Sequence, residues 1–411
     1  MKFINTIFKS IVFILLFFAG CVSQNNPGIK IEVRNNASAG ISDAVIRIND
    51  PVILGKIDAL PGKYFLVRSD TIHPVQPIRE NEQLKELLFL SNIGPGENKV
   101  FTVSKTDTET TFKQRTQAEL SIKKGGEWKD RIYNGGKFEN ITCLRVPDEH
   151  TDHSFYIRYE GPGWESDKVG YRFYLDWRNA IDIFGKKVDT LVLQNVGQDG
   201  FDSYHEMSPW GVDVLKVGES LGMGSIGYWL NNKAERVAVT DSIYCEINYS
   251  GILESKITTS YFGWKIGDYK PDLISRLSIQ AGSRMTRHDL ELSAGMDNLC
   301  TGIVKLPDTE YIIPESAYGE WTWLATYGKQ TLQGDMLGMA VFYKSKDLIK
   351  LAEDEDDYAV VLKPSENKLT YYFLAAWEQE PSGIKSKQEF IDYLNEQTEV
   401  LNYGLMVKEV R

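Results

Sequence analysis

The sequence predicts an all-β protein, a large antiparallel β-sandwich with minor helices. Short runs rich in β-branched and aromatic residues, separated by turn residues, recur about every 8 to 15 residues from one end to the other. Helical spacing occurs in only two stretches. No internal repeat or low-complexity linker divides the chain, and strands this closely spaced favour an antiparallel sandwich over a parallel α/β sheet.

The elements follow in order. Lys2 and Lys9 precede an apolar run over 11–18, which ends in Ala19 and Gly20 before Cys21. This is the layout of a secretory leader, too short to span a bilayer, which takes roughly 20 apolar residues. Phe18-Ala19-Gly20-Cys21 resembles a bacterial lipobox. The expectation is a lipoprotein signal peptide over 1–20, lipidation at Cys21, a tether over 21–27 and one sandwich domain over 28–411. The chain would then sit in the cell envelope, held to a membrane by its lipid and facing the periplasm. Strands are expected at 29–33, 44–48, 63–67, 99–103, 118–122, 155–159, 171–175 and 190–194 in the first half. In the second half they are expected at 236–240, 242–249, 255–262, 275–280, 339–343, 358–362 and 369–375. Helical spacing marks 82–90, through Leu84, Leu87 and Leu88, and 387–401, through Phe390, Ile391 and Leu394.

The net charge of −11 excludes a nucleic-acid partner, which needs clustered Lys and Arg. Beyond Cys21, cysteines stand only at 143, 245 and 300, an odd and scattered set that suggests neither a disulfide framework nor a metal site. Nine Trp and 21 Tyr supply flat faces that suit sugar rings as well as sandwich cores.

Gly222 to Gly227 spells GxGxxG, but no helix pattern follows, so its glycines are read as a bend between strands. The acidic run 353–357 lacks the ligand spacing of a calcium loop and reads as a solvated turn. A denser group is His150, Asp152 and His153, then Arg158, Tyr159, Glu160, Trp164 and Glu165, then Arg172, Asp176, Trp177 and Arg178. Together these resemble one wall of a polar cleft. Tyr204-His205-Glu206 and Trp210 form a second group on a loop, where catalytic residues concentrate on rigid scaffolds. Farther on come Arg284, His288, Trp323 and Lys329. The planar fork of Arg is the natural partner for a carboxylate, and Arg, His, Tyr and Trp together suit an acidic sugar.

Four segments carry a family resemblance: "GGEWKDRIYNGGKF" from Gly125, "RVPDEHTDHSFYIRYEGPGWESDKVGYRFYLDWRNAIDIFGKK" from Arg145, "HEMSPWGVDVLKVGESLGMGSIG" from His205 and "WTWLATYGKQTLQGDMLGMAVFY" from Trp321. They resemble a family of lipoproteins encoded alongside polysaccharide-degrading enzymes, some described as pectate disaccharide-lyase-like and one branch as ulvan oligosaccharide dehydratases. The resemblance implies a mutarotase-like or polysaccharide-lyase-like sandwich. It also implies removal of water from a terminal uronic acid of an acidic oligosaccharide, leaving a 4,5-unsaturated end. No catalytic residue is carried over from the family.

From chemistry alone, Arg158 or Arg172 would bind the carboxylate, and Tyr159 and His205 would move protons. Trp164 would be a stacking platform, and Glu165, Trp210, Arg284, His288, Trp323 and Lys329 would complete the substrate site. No cofactor and no metal enter this reading. A lyase that expels a sugar in place of water needs nearly the same residues, and a non-catalytic glycan-binding lipoprotein needs the Arg and aromatic groups alone.

Overall fold

The computed structural model describes residues 28–200, 203–315 and 319–410. The leader, Cys21 and the tether lie outside the described residues. No helix among those described is long and apolar enough to cross a membrane. The fold is all-β, built from antiparallel sheets.

Two sheets form a small layer pair at the start of the chain. Five strands run in the order Leu405–Val410, Ile29–Asn35, Asn98–Thr106, Tyr64–Arg68, Ile72–His73. They face a three-stranded sheet of Ile41–Ile48, Gln83–Ile93 and Val75–Glu80. Ile31, Val33, Ile46, Phe89 and Phe101 fill the space between, closed by Ile53 and Ile57 of helix α1 (Pro51–Asp58). Asp50 caps α1 through the N–H groups of Val52 and Ile53, and Pro51 stands where no donor is needed. Eight residues are too few for a periodic signal, so the sequence reading passed over this helix.

The stretch 82–90, expected as a helix, is instead the strand Gln83–Ile93. Leu87 and Phe89 face the small core, while Leu88 and Leu90 pack against Leu253 and Ala281 of the main body. A strand buried on both faces shows an unbroken apolar run, which periodicity alone does not separate from a helix.

The main body stacks larger sheets. The nine-stranded one orders Cys143–Arg145, Ser242–Ser250, Glu254–Phe262, Leu273–Gln280, Met285–Leu292, Lys368–Trp377, Met336–Lys344, Trp321–Lys329 and Thr309–Ile312. Along Leu273–Gln280 burial alternates residue by residue, with Leu273, Leu277 and Ile279 inward, as a half-buried strand requires. Facing it is a six-stranded sheet of Gly211–Asp213, Ile181–Lys186, Gly170–Phe173, Gly163–Ser166, Thr116–Lys129 and Ile132–Ile141. Trp164, Tyr171, Phe173, Leu277, Leu290 and Phe373 share the core. A five-stranded sheet that includes Gly227–Leu230, Leu299–Val304 and Asp357–Leu362 completes the body. Helix α2 (Lys387–Tyr403) arises in the C-terminal stretch marked by helical spacing; Ser386 caps it, and Phe390 and Leu394 bury against Trp323, Tyr327 and Phe342.

Three expected strands are absent or shortened. Residues 155–159 form a bridge and a 3₁₀ turn, 190–194 lead into the turn Leu193–Asn195, and the strand near 236 ends at Arg236. The Gly222–Gly227 segment is a bend: a Cβ on Gly222 would lie 2.2 Å from Ile181 O, and one on Gly224 would meet the Phe373 ring at 2.5 Å. The acidic run 353–357 turns between two strands, yet Asp357 is buried and accepts from the Leu221 N–H at 2.9 Å. Burial pushes its carboxyl up to about 8.

Candidate functional site

One face of the six-stranded sheet is apolar and joins the core, and the other is polar. Strand register explains why. Glu119 pairs with Gly163, Gly163 with Arg172, and Arg172 with Asp182, so the four form one row across neighbouring strands. Gly163 leaves a gap in that row, and Tyr159 fills it, since a Cβ there would lie 2.5 Å from the Tyr159 hydroxyl oxygen. The hydroxyl donates to Glu119. Burial, then the Glu119 charge, pushes the Tyr159 phenol well above its ordinary range.

A covering layer, residues 187–200 and 203–210, is fastened over this face by buried polar groups. Arg158 is fully buried; its guanidinium donates to the carbonyls of Leu193 and Val196 at 3.0 Å and pairs with Glu119. Glu165 accepts from the N–H groups of Val192 and Leu193 at 2.8 Å and pairs with Lys186 at 2.7 Å. Tyr204 and Trp210 of the same layer pack on Phe184.

Arg172 holds the centre. It donates to Asp182 at 2.8 Å, to Asp213 at 2.6 Å and to the Tyr204 hydroxyl at 2.9 Å, while Tyr174 donates to Asp182 at 2.7 Å. Burial, and then the neighbouring Asp182, push the Asp213 carboxyl well above its usual range. Nε2 of the part-exposed His205 stands 3.6 Å from Asp213, and its ring centroid is 4.5 Å from that of Tyr204.

A small hollow opens beside this network, lined by Lys123, Phe138, Phe155, Tyr159, Glu160 and Tyr204. Through Lys123 and Phe155 it widens into an outer cleft walled by Tyr133, His153 and Asp199. Trp128, Tyr133 and Tyr156 cluster nearby with ring centroids about 5 Å apart. The Lys123 ammonium lies over the rings of Phe138 and Phe155 at 5.4 and 5.8 Å, and burial lowers its pKa. No carboxylate of the described residues is within ion-pair distance of it. His153, Phe155, Tyr159 and Glu160 all carry positive φ, between 38° and 69°, a conformation that side chains of this size rarely adopt. Such strain concentrates where function over-determines the backbone.

A family model described as a domain of unknown function, DUF4861, matches residues 33–407. The chain belongs to the DUF4861 family. No curated protein sequence matches this DUF4861 chain. Among solved structures it is similar to a glycosyl hydrolase family 38 protein of Enterococcus faecalis, at 7% identity and a TM-score of 0.47, covering 93% of this chain and 47% of that one. It is also similar to an α-mannosidase of Enterococcus faecalis, at 7% identity and a TM-score of 0.43, covering 93% and 46%. The DUF4861 chain thus spans about half the length of both.

Within this family member, Arg158, Tyr159, Glu165, Arg172, His205 and Trp210 come together around the polar face, and the other expected site residues do not. Arg158 and Arg172 are buried and bonded to protein groups, so they fasten the site and do not offer themselves to a carboxylate. Trp164 is core, stacked on Tyr171 with its N–H on Thr286, and is no sugar platform. His288 is buried against Ser275, and Trp323 lies under α2. Arg284 pairs with Glu380 at 2.6 Å and faces a separate groove beside α2. Lys329 is an exposed strand end. Sequence reasoning missed Lys123, Asp182 and Asp213, because each lies in a strand whose register alone brings it to the site.

Proposed function

We propose that this chain acts on acidic oligosaccharides, eliminating water from a terminal uronic acid to leave a 4,5-unsaturated end. The observation that carries the reading is the placing of Lys123 and Tyr204 on one hollow with an aromatic wall, backed by the buried Arg172, Asp182 and Asp213. Removal of the C5 proton pushes charge onto the sugar carboxylate, and a cation must offset it. Lys123 supplies that cation. His205, oriented by Asp213, takes the C5 proton. The electron pair forms the C4–C5 double bond, the C4–O bond breaks, and Tyr204 gives its proton to the departing hydroxide as water. Burial holds the Tyr204 phenol up at about 12, which suits an acid and not a resting base. Its oxygen accepts from Arg172, and that bond stabilises the phenolate left behind.

A lyase that expels a sugar from C4 uses the same groups, and the open outer cleft beside Tyr133 leaves room for one. Product size separates the two. Incubation with a saturated uronyl disaccharide, followed by ultraviolet absorbance and mass, should give a product lighter by one water. Chain cleavage would instead establish the lyase, and an unchanged substrate would leave only glycan binding. In this reading, lipid at Cys21 holds the protein in the cell envelope, where such fragments arrive.

A further inference from the structure

On the His153 side of the outer cleft, Asp152, His153 and Glu160 each offer one ligand atom, and these atoms lie within 4.8 Å of one another. Glu160 is 4% exposed, and its Oε2 is sealed from solvent without a hydrogen bond, while Oδ1 of Asp152 lies 2.7 Å from Nδ1 of His153. A buried oxygen left without a partner is destabilising, and a bound cation would relieve it. Arg178 does not cure the deficit. It comes within 2.8 Å of Asp152 Oδ1 and 3.0 Å of Glu160 Oε1 and also pairs with Asp176, but it leaves Glu160 Oε2 without a bond. Three carboxylates therefore surround one guanidinium, and the next guanidinium along, that of Arg172, already serves Asp182 and Asp213. The pocket carries more negative charge than its arginines neutralise.

We infer that Asp152, His153 and Glu160 bind a first-row divalent cation, Zn²⁺ or Mn²⁺. Two carboxylates and one imidazole form a mixed oxygen and nitrogen set, which suits these ions better than Ca²⁺ or Mg²⁺. Ligand atoms this close reach one ion at the usual bond length of about 2.0–2.2 Å with small side-chain rotations. Three protein ligands leave a coordination position open, and His153 puts that position beside the cleft. If the proposed elimination is right, the ion shares the charge of the uronate carboxylate with Lys123. That role rests on the functional reading, and the site itself does not.

The test is calorimetric titration of the full chain, stripped with chelator and dialysed, with Zn²⁺ and separately with Mn²⁺, and with Ca²⁺ for comparison. One ion per chain is expected for Zn²⁺ or Mn²⁺. Loss of even an outer-shell partner weakens metal sites about 10–100-fold, so His153→Ala and Glu160→Gln should each weaken binding about 100-fold. The His153 side chain is 49% exposed, so its removal leaves the fold intact even where the buried Glu160 change does not. No saturable binding of either ion, or binding undiminished in His153→Ala, overturns the site. Disaccharide turnover is a separate readout. Saturable binding without turnover keeps the metal site and removes the elimination, whereas turnover by a chain that binds neither ion does the reverse.

Discussion

At the residue scale, the assignment separates groups that touch substrate from groups that hold those groups in place. Lys123 is a cation between two aromatic rings on the hollow, and charge-assisted contacts of this kind contribute about 1.5–3 kcal/mol. Lys123→Met should therefore raise KM about 10- to 100-fold while the melting temperature stays within a few degrees; steady-state kinetics and a thermal melt check both. Tyr204→Phe keeps the ring packed on Phe184 but removes the acid, and kcat should fall about 10²- to 10⁴-fold. Arg158 is the opposite case. Arg158→Met leaves Glu119 charged and buried, with an expected loss of about 3–5 kcal/mol in denaturant unfolding. Equal stability of that variant and the parent would refute the fastening role.

At the scale of elements, most strands were legible because one face is wet and burial alternates, as along Leu273–Gln280. Reading failed where both faces are covered, as at Gln83–Ile93, and where a segment has no regular structure to read, as at 155–159. The second failure matters more, since Arg158 and Tyr159 fall in the stretch expected as a strand. The cluster was found all the same, because its residue types are dense between His150 and Arg178. Its partners Asp182 and Asp213 were hidden, because one strand contributes each of them and only pairing brings them to Arg172. Gly163 shows a local rule at work: the missing side chain admits Tyr159. Gly163→Val should displace that ring, unfasten the covering layer and raise hydrogen exchange across 187–200 while the far sheet keeps its protection.

At the scale of the whole molecule, stability has a clear pH signature. Burial pulls the imidazole of His288 down to about 3 from an ordinary 6.5. As pH falls below 6.5 the unfolded chain takes up this proton before the folded one does. The stability linked to a neutral His288 is therefore complete above that value and is lost as pH falls toward about 3, a loss of about 4 kcal/mol. Urea midpoints should decline through this window, and His288→Gln should decline less. The covering layer lies on one face of the six-stranded sheet and His288 packs beneath the other, near Phe173 and Ile181, so acid damage to the core is expected to reach the site as well.

The most direct test of the central claim is the mass and ultraviolet absorbance of a saturated uronyl disaccharide after incubation with the full chain, beside the Tyr204→Phe variant. The expected result is loss of one water from the intact disaccharide with a new absorbing double bond, abolished or strongly slowed in Tyr204→Phe. A product of unchanged mass, or equal turnover by parent and variant, would contradict the account.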